Sequence, residues 1–459
     1  MNIKHLAAGA IALAVTSSAM AQTTITVTGA TAFRQATVQA IYNAYNSVSP
    51  GLNGMANASF NVAHDFTGNN LSQLIASNKA IFRGTFPGIS GTTVIQTSFN
   101  GSAEGLNAIA GNNNPPFLTI AALTNTTNGT FTGGITAPTE TKRPKFSFSD
   151  VYQASTPVDN EVLNPVGSST VGVVTFAMIA NEGAPANWTN VTFQQARALW
   201  EQGIQRLRLF TGDTNDTTRV FATGRNDGSG TRASYLSEWQ YGVAETVQQY
   251  ITLTGSNGTN ATGIIGITAV PADGRGQGTP FDTGSTNNAS TLWGNTTVGN
   301  GGFSSSSALR TVMGLPSTNV TVWDGADDSE PVLENQKVLL LTWLSTADCL
   351  QASDAGGVIL AYNGVKVTPV ASTNPANYLS KGFNEADFNK ISRGTYSAWN
   401  YQHLYYHGSL SGNETLWYNS MKTNYLPTGL QQTANGLTIA DMRSSRPDDG
   451  FPIVNPLAL

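Results

Sequence analysis

Along this chain short apolar runs repeatedly end in a turn of small polar residues, after which apolar residues return at helical spacing. Thr23 to Thr28 alternates like a strand, with Ile25 and Val27 to one side, and stops at Gly29-Ala30-Thr31. Phe33, Val38, Ile41 and Tyr45 then suit a helix with one apolar face. Thr92 to Phe99 leads through Asn100-Gly101-Ser102 into Leu106 and Ile109, again at helical spacing. Lys145 to Ser149 is a strand that ends at Asp150. Arg219 to Thr223 runs into Gly224-Arg225-Asn226-Asp227-Gly228-Ser229-Gly230-Thr231, followed by Tyr235, Leu236, Trp239 and Val243 at helical spacing. Alternation of this kind predicts an α/β protein, whose ligands collect where loops leave the carboxyl ends of strands. Thr192 is placed to cap a helix reaching Gly203, with Ala196, Leu199 and Trp200 facing inward, and Val338 to Leu344 reads as a buried strand. The stretches Asn112–Thr139 and Gly255–Gly302, rich in Gly, Asn and Thr, read as surface loops or insertions.

Composition narrows the partners. Of 459 residues 40% are hydrophobic, enough for a core, so wholesale disorder is excluded. Only 11% are charged, the net charge is −5, and no long basic run occurs, which argues against nucleic acid. Met1 to Ala21 reads as a secretory signal: a polar start at Lys4-His5, an apolar stretch from Leu6 to Val15, and Ala19-Met20-Ala21 as the cleavage site. No later stretch has the length of a membrane span. The single cysteine, Cys349, excludes an internal disulfide and is expected as a buried apolar residue, and no cysteine sits near Ala21 to carry a lipid. The expectation is an exported, unanchored bacterial protein, periplasmic after cleavage behind Ala21, and monomeric.

The turns carry the chemistry. A helix start presents backbone N–H groups and partial positive charge, glycine lets the backbone close on a guest, and Ser or Thr hydroxyls add donors. Asp227-Gly228-Ser229-Gly230-Thr231 therefore suits an oxyanion, and Arg225 can add a two-pronged charge-assisted bond. Gly29-Ala30-Thr31 and Asn100-Gly101-Ser102 offer the same device.

Arg225-Asn226-Asp227-Gly228-Ser229-Gly230-Thr231 resembles the R-x-D-G-S-G-T signature of phosphate-binding proteins of high-affinity phosphate ABC importers. Gly29-Ala30-Thr31 is similar to that family's first loop, Asn100-Gly101-Ser102-Ala103-Glu104-Gly105 to its serine-bearing second loop, and Phe148-Ser149-Asp150 to its S-D element. Asn190-Val191-Thr192-Phe193 with Ala198 to Gly203 resembles the segment that follows, and the order along the chain agrees. The likeness implies a type II periplasmic-binding-protein fold, with two α/β lobes joined by crossover strands and a ligand cleft between them. Residues 22–165 and 391–459 would form lobe I, and 166–390 lobe II with its Gly/Asn-rich insertions. It also implies that Gly29, Ala30, Thr31, Ser102 and Asp150 meet the anion from lobe I, and Arg225, Ser229, Gly230 and Thr231 from lobe II. Asp227 would hold Arg225 or touch the ligand. The segment near Thr395 to Tyr406 would return to the first lobe. The implied partners are phosphate or a related tetrahedral oxyanion and an inner-membrane ABC permease, with no cofactor and no catalysis. The first loop departs from the family's pattern, with Ala32 between Thr31 and Phe33.

Asp150 has its own rationale. An ionised carboxylate accepts the proton that hydrogen phosphate still carries and repels a fully deprotonated anion such as sulfate, so it selects by repulsion. Two other classes stay open on the residues alone: a phosphate-related hydrolase on the same fold, and an exported surface or matrix protein. His403 and His407 have metal-ligand spacing, but Leu404-Tyr405-Tyr406 between them reads as packed strand. Asp324 to Glu330 is an acidic turn without the pattern of an EF-hand loop.

Overall fold

The computed structural model describes residues 22–48, 60–123, 131–158, 163, 169–256, 261–269, 301–323, 332–370, 382–433 and 436–454. The expected signal segment and the acidic turn at 324–330 lie outside them. The fold is α/β. Its strands include β1 (Thr23–Gly29), β2 (Phe60–His64), β3 (Lys79–Gly84), β4 (Thr93–Phe99), β5 (Phe146–Ser149), β6 (Thr170–Ala180), β7 (Arg219–Ala222), β8 (Tyr250–Ser256), β9 (Ala261–Ala269), β10 (Val320–Trp323), β11 (Leu333–Gln336), β12 (Val338–Ser345) and β13 (Trp399–Tyr406). One sheet runs from Ile204–Arg206 through β7, β12, β6, β13, β5, β1, β4, β3 and β2 to Phe131–Thr132.

The eleven-residue β6 carries the sheet from one half of the molecule to the other. Its first residues, Thr170 to Thr175, pair antiparallel with β13, and its last, Phe176 to Ala180, pair antiparallel with β12. β1 is parallel to β4 and to β5, and β7 is parallel to β12. The loops after β1, β4, β5 and β7 therefore leave parallel strands at their carboxyl ends, where α/β sheets build sites.

The helices that matter for the site are α1 (Arg34–Val48), α2 (Ser102–Ala110), α3 (Phe193–Gln202), α4 (Gly230–Glu238), α5 (Ser306–Met313) and α6 (Thr346–Asp354). α3 forms as its sequence dictates. The Thr192 side chain accepts from the Gln195 N–H, the Gln195 side chain accepts from the Thr192 N–H, and Ala196, Leu199 and Trp200 are buried. β12 is buried along its whole length, and Cys349 is buried with a free thiol.

Several expectations need correction. α1 is not a one-faced helix: Arg34 to Tyr42, Ala44 and Tyr45 are all buried, because the helix segment Leu426–Gln432 covers the side that the sheet does not. β1 likewise buries Thr26 and Thr28 beside Ile25 and Val27, since it is a central strand covered on both faces. α4 ends at Glu238, two residues before Gln240 takes φ +51°, so Val243 lies beyond the helix. The stretch Gly255–Gly302 is not all surface loop. β9 crosses it and pairs with β8 and β10 in a second sheet, β8-β9-β10-β11, where Ile264 and Ile267 are buried. Asn112–Thr139 contributes short strands too, with Leu118 and Ala122 in a small core.

Candidate functional site

The loops after β1, β4, β5 and β7 meet at one buried place, and each expected residue can be located there. From the β5 end, the Asp150 carboxyl accepts hydrogen bonds from the Ser102 hydroxyl, at the first residue of α2, and from the Thr231 hydroxyl of α4 at 3.3 Å. Burial raises the Asp150 pKa above the ordinary carboxylate value, opposed by the Ser102 bond and the Arg225 charge. Arg225, just past β7, crosses to the other half: Nη1 donates to Thr31 Oγ1 at 2.7 Å. Its Nε donates to the Phe303 carbonyl at 2.8 Å and Nη2 to the Ser304 carbonyl at 2.8 Å. The guanidinium is fully buried, and burial lowers its pKa to about 10.

None of those three partners is a carboxylate. Asp150 acts on Arg225 as a charge rather than through any of these bonds. The halves also touch through backbone, with the Glu104 N–H donating to the Gly228 carbonyl at 3.1 Å. Gly101 permits this approach, since it sits at φ +125° and a Cβ there would come within 2.5 Å of that carbonyl oxygen. Gly230 allows closer contact still. A Cβ on it would fall inside the van der Waals radii of Asp150 Oδ1 and Ser102 Oγ.

Gly29 and Ala30 play a different part from Thr31. The Gly29 carbonyl accepts from Gly101 N at 3.0 Å and Ala30 N donates to the Phe148 carbonyl at 2.8 Å, so both fix loops to one another. Asp227 is buried with the charges of Arg232 and Glu104 acting on it, and burial pushes its pKa up to about 8. The Ser229 hydroxyl is buried with no hydrogen-bond partner among the described residues. The site is thus a convergence of helix starts (α2, α4), buried hydroxyls and a buried guanidinium, an arrangement that stabilises negative charge.

Sequence reasoning missed four contributors. Arg34, the first residue of α1 and its single charged residue, is fully buried close enough to Arg225 for their charges to act on each other. That lone charge in an otherwise uncharged helix was the available signal. Ser304 and Ser306 belong to a serine run at the start of α5, directly after a stretch read as insertion. Asn400 of β13 donates through Nδ2 to the Asp150 carbonyl at 3.1 Å and to Ser234 Oγ at 2.9 Å, tying strand, loop and α4 together. Among the described residues no group of three or more His, Cys, Asp or Glu side chains could hold a metal ion. His403 is buried in β13, with Nδ1 3.3 Å from the Ser169 hydroxyl.

Asp227 and His403 together give an expected pH profile. Burial keeps Asp227 protonated in the folded chain up to about pH 8, whereas its unfolded value is 3.8, so its contribution falls as pH rises between those values. Burial lowers the pKa of His403 to about 3 from 6.5, so its contribution falls as pH drops through that window. The two oppose each other below pH 6.5; above it the Asp227 slope continues to about pH 8, joined up to about pH 7 by Asp449, whose pKa burial also raises. Denaturant midpoints for the anion-free protein should therefore decline from pH 6.5 to 8, and Asp227→Asn should flatten that decline. An equal slope in the variant would refute the assignment.

No family model matches this chain, and no curated protein matches it. Solved structures do resemble it. One, from Clostridium perfringens, is described as a candidate phosphate ABC transporter substrate-binding protein with bound phosphate; it is 10% identical, with 90% of this chain and 99% of that chain covered and a TM-score of 0.40. Another is an ABC-type phosphate transport receptor from Vibrio cholerae, 10% identical, with 88% and 96% covered and a TM-score of 0.39. Both are of the kind that the motifs of this chain resemble. Among the described residues no helix is long and apolar enough to cross a membrane.

Proposed function

We propose that this protein is an exported receptor that captures phosphate, or a closely related tetrahedral oxyanion, and presents it to an ABC permease in the inner membrane. The observation that carries this reading is Arg225: a fully buried guanidinium that spans the two halves and, among the described residues, bonds to a hydroxyl and two carbonyls and to no carboxylate. A buried charge without a bonded counter-ion is costly, and an anion held between Arg225, Thr31, Ser102, Ser229 and Thr231 would repay that cost. In this reading residues 22–165 with 391–459, and 166–390, are the two lobes. The contacts Arg225–Thr31 and Glu104–Gly228 then belong to the closed form, favoured by the guest through population shift. Export after cleavage behind Ala21, a monomeric state and a role without catalysis belong to the same proposal.

The test is calorimetry on protein exchanged into phosphate-free buffer. Tight one-to-one binding without turnover is expected. Hydrolysis of a phosphoester would favour an enzyme, and absence of both would favour a surface protein. Asp150→Asn refines the test. Asp150 accepts from two hydroxyls and is placed to accept the proton of hydrogen phosphate, so the variant should lose at least tenfold of its preference for phosphate over sulfate. Unchanged discrimination would remove Asp150 from that role.

A further inference from the structure

A second guanidinium stands beside the first. Arg34 follows Thr31 by one helical turn and is fully buried. Its Nη1 donates to Asn78 Oδ1 at 2.6 Å and its Nη2 to Ser307 Oγ at 3.0 Å, while its Nε has no hydrogen-bond partner among the described residues. The pattern mirrors that of Arg225. Arg225 reaches from the β7 side to Thr31 at the start of α1, and Arg34 reaches from α1 to Ser307 in the first turn of α5. The two share one segment, because the Ser304 carbonyl holds Arg225 and Ser307 holds Arg34. Between those residues lies Ser306, buried, whose hydroxyl has no hydrogen-bond partner among the described residues.

The charges around Arg34 do not neutralise it locally. Asp348 and Asp65 act on it at a distance, Arg310 and Arg225 oppose them, and no carboxylate lies within ion-pair distance of it among the described residues. Asp348 is itself bonded to Arg310 at 3.2 Å, and Asp65 has Lys79 at 4.0 Å. The pocket therefore gathers two guanidiniums beside the carboxyl of Asp150, while the charge of Asp348 is offset by Arg310 and Asp227 has the charge of Arg232. One guanidinium and an ionised Asp150 sum to zero and favour no anion by charge; the second raises the sum by one unit.

We infer that Arg34, assisted by the Ser306 hydroxyl, is a specificity-determining residue of the anion pocket, supplying the second positive charge that lets it hold a doubly charged oxyanion beside Asp150. This rests on the receptor reading and deepens it. Nε of Arg34 and Oγ of Ser306 are the donors left for the guest, while the two Nη atoms hold the closed arrangement.

The test titrates inorganic phosphate at pH 8, where the dianion dominates, into the parent, Arg34→Gln and Arg34→Lys proteins, with the unfolding midpoint of each anion-free protein measured alongside. Arg34→Gln should weaken phosphate binding at least a hundredfold and leave the anion-free midpoint unchanged or higher, since it removes a buried charge. Arg34→Lys should recover at least tenfold of that loss by restoring the charge. Phosphate affinity in Arg34→Gln within threefold of the parent would overturn the inference while leaving the receptor reading intact. So would an anion-free midpoint that falls with the affinity and a Lys variant no better than Gln, the signature of a purely structural arginine. A parent that binds no phosphate would overturn the receptor reading, and this inference with it.

Discussion

Arg225→Ala is expected to weaken phosphate binding by about thirtyfold to a few thousandfold, since truncating one partner of a buried charged contact costs about 2–5 kcal/mol at about 1.4 kcal/mol per tenfold. The guanidinium uses all three of its nitrogens, on Thr31 Oγ1, the Phe303 carbonyl and the Ser304 carbonyl. Alanine removes a charge that faces the guest and also the bond that joins the halves through Thr31. Lysine at this position restores charge but cannot supply three directed donors in a plane, so Arg225→Lys should remain at least tenfold weaker than the parent. Calorimetry with phosphate checks both, and a circular dichroism spectrum confirms that the variants are folded. An alanine variant that binds within threefold of the parent would remove Arg225 from the site.

Gly230→Ala should be comparably damaging through a single methyl group. The added Cβ would overlap Asp150 Oδ1 and Ser102 Oγ, both contributed by the first half, while Gly230 belongs to the second. The clash therefore exists only where the halves meet. Gly230 is not among the glycines with positive φ, and alanine is the better helix former by up to about 1 kcal/mol, so the separated halves lose nothing. The expected result is a loss of more than a hundredfold in phosphate affinity, with the anion-free unfolding midpoint unchanged or slightly raised. Small-angle scattering should show no phosphate-induced compaction in the variant. Binding at the parental level would mean that the contact between Gly230 and Asp150 is not part of the liganded form.

Where local chemistry decides an element, the sequence was readable. Thr192 and Gln195 cap α3 from within four residues of chain, and the uninterrupted apolar run of β12 needs two covered faces wherever it is placed. The turns that form the site were readable for the same reason: Ser102, Asp150, Arg225 and Thr231 each follow a strand in the same small polar context. Their convergence was not visible in local spacing, because it depends on which strands are neighbours in the sheet. Periodicity misled at α1, whose second covering comes from residues nearly four hundred positions away, as in the bond from Asn43 Nδ2 to Gln432 Oε1. The second sheet was hidden because β9 carries two glycines among its nine residues, which mimics loop composition. Arg34 escaped notice because an arginine at the head of a helix ordinarily faces water; only the fold shows it enclosed.

β13 lies between β5 and β6, so a strand beginning at Trp399 is inserted between two neighbours that were made more than two hundred residues earlier. Closing so long a loop costs entropy before any contact repays it, and topologies of that kind form slowly. During synthesis β5 and β6 must wait, without their shared neighbour, until more than two hundred further residues have been made. A nascent polypeptide that cannot lock early stays threadable, which is what the proposed export through a narrow translocation channel would require.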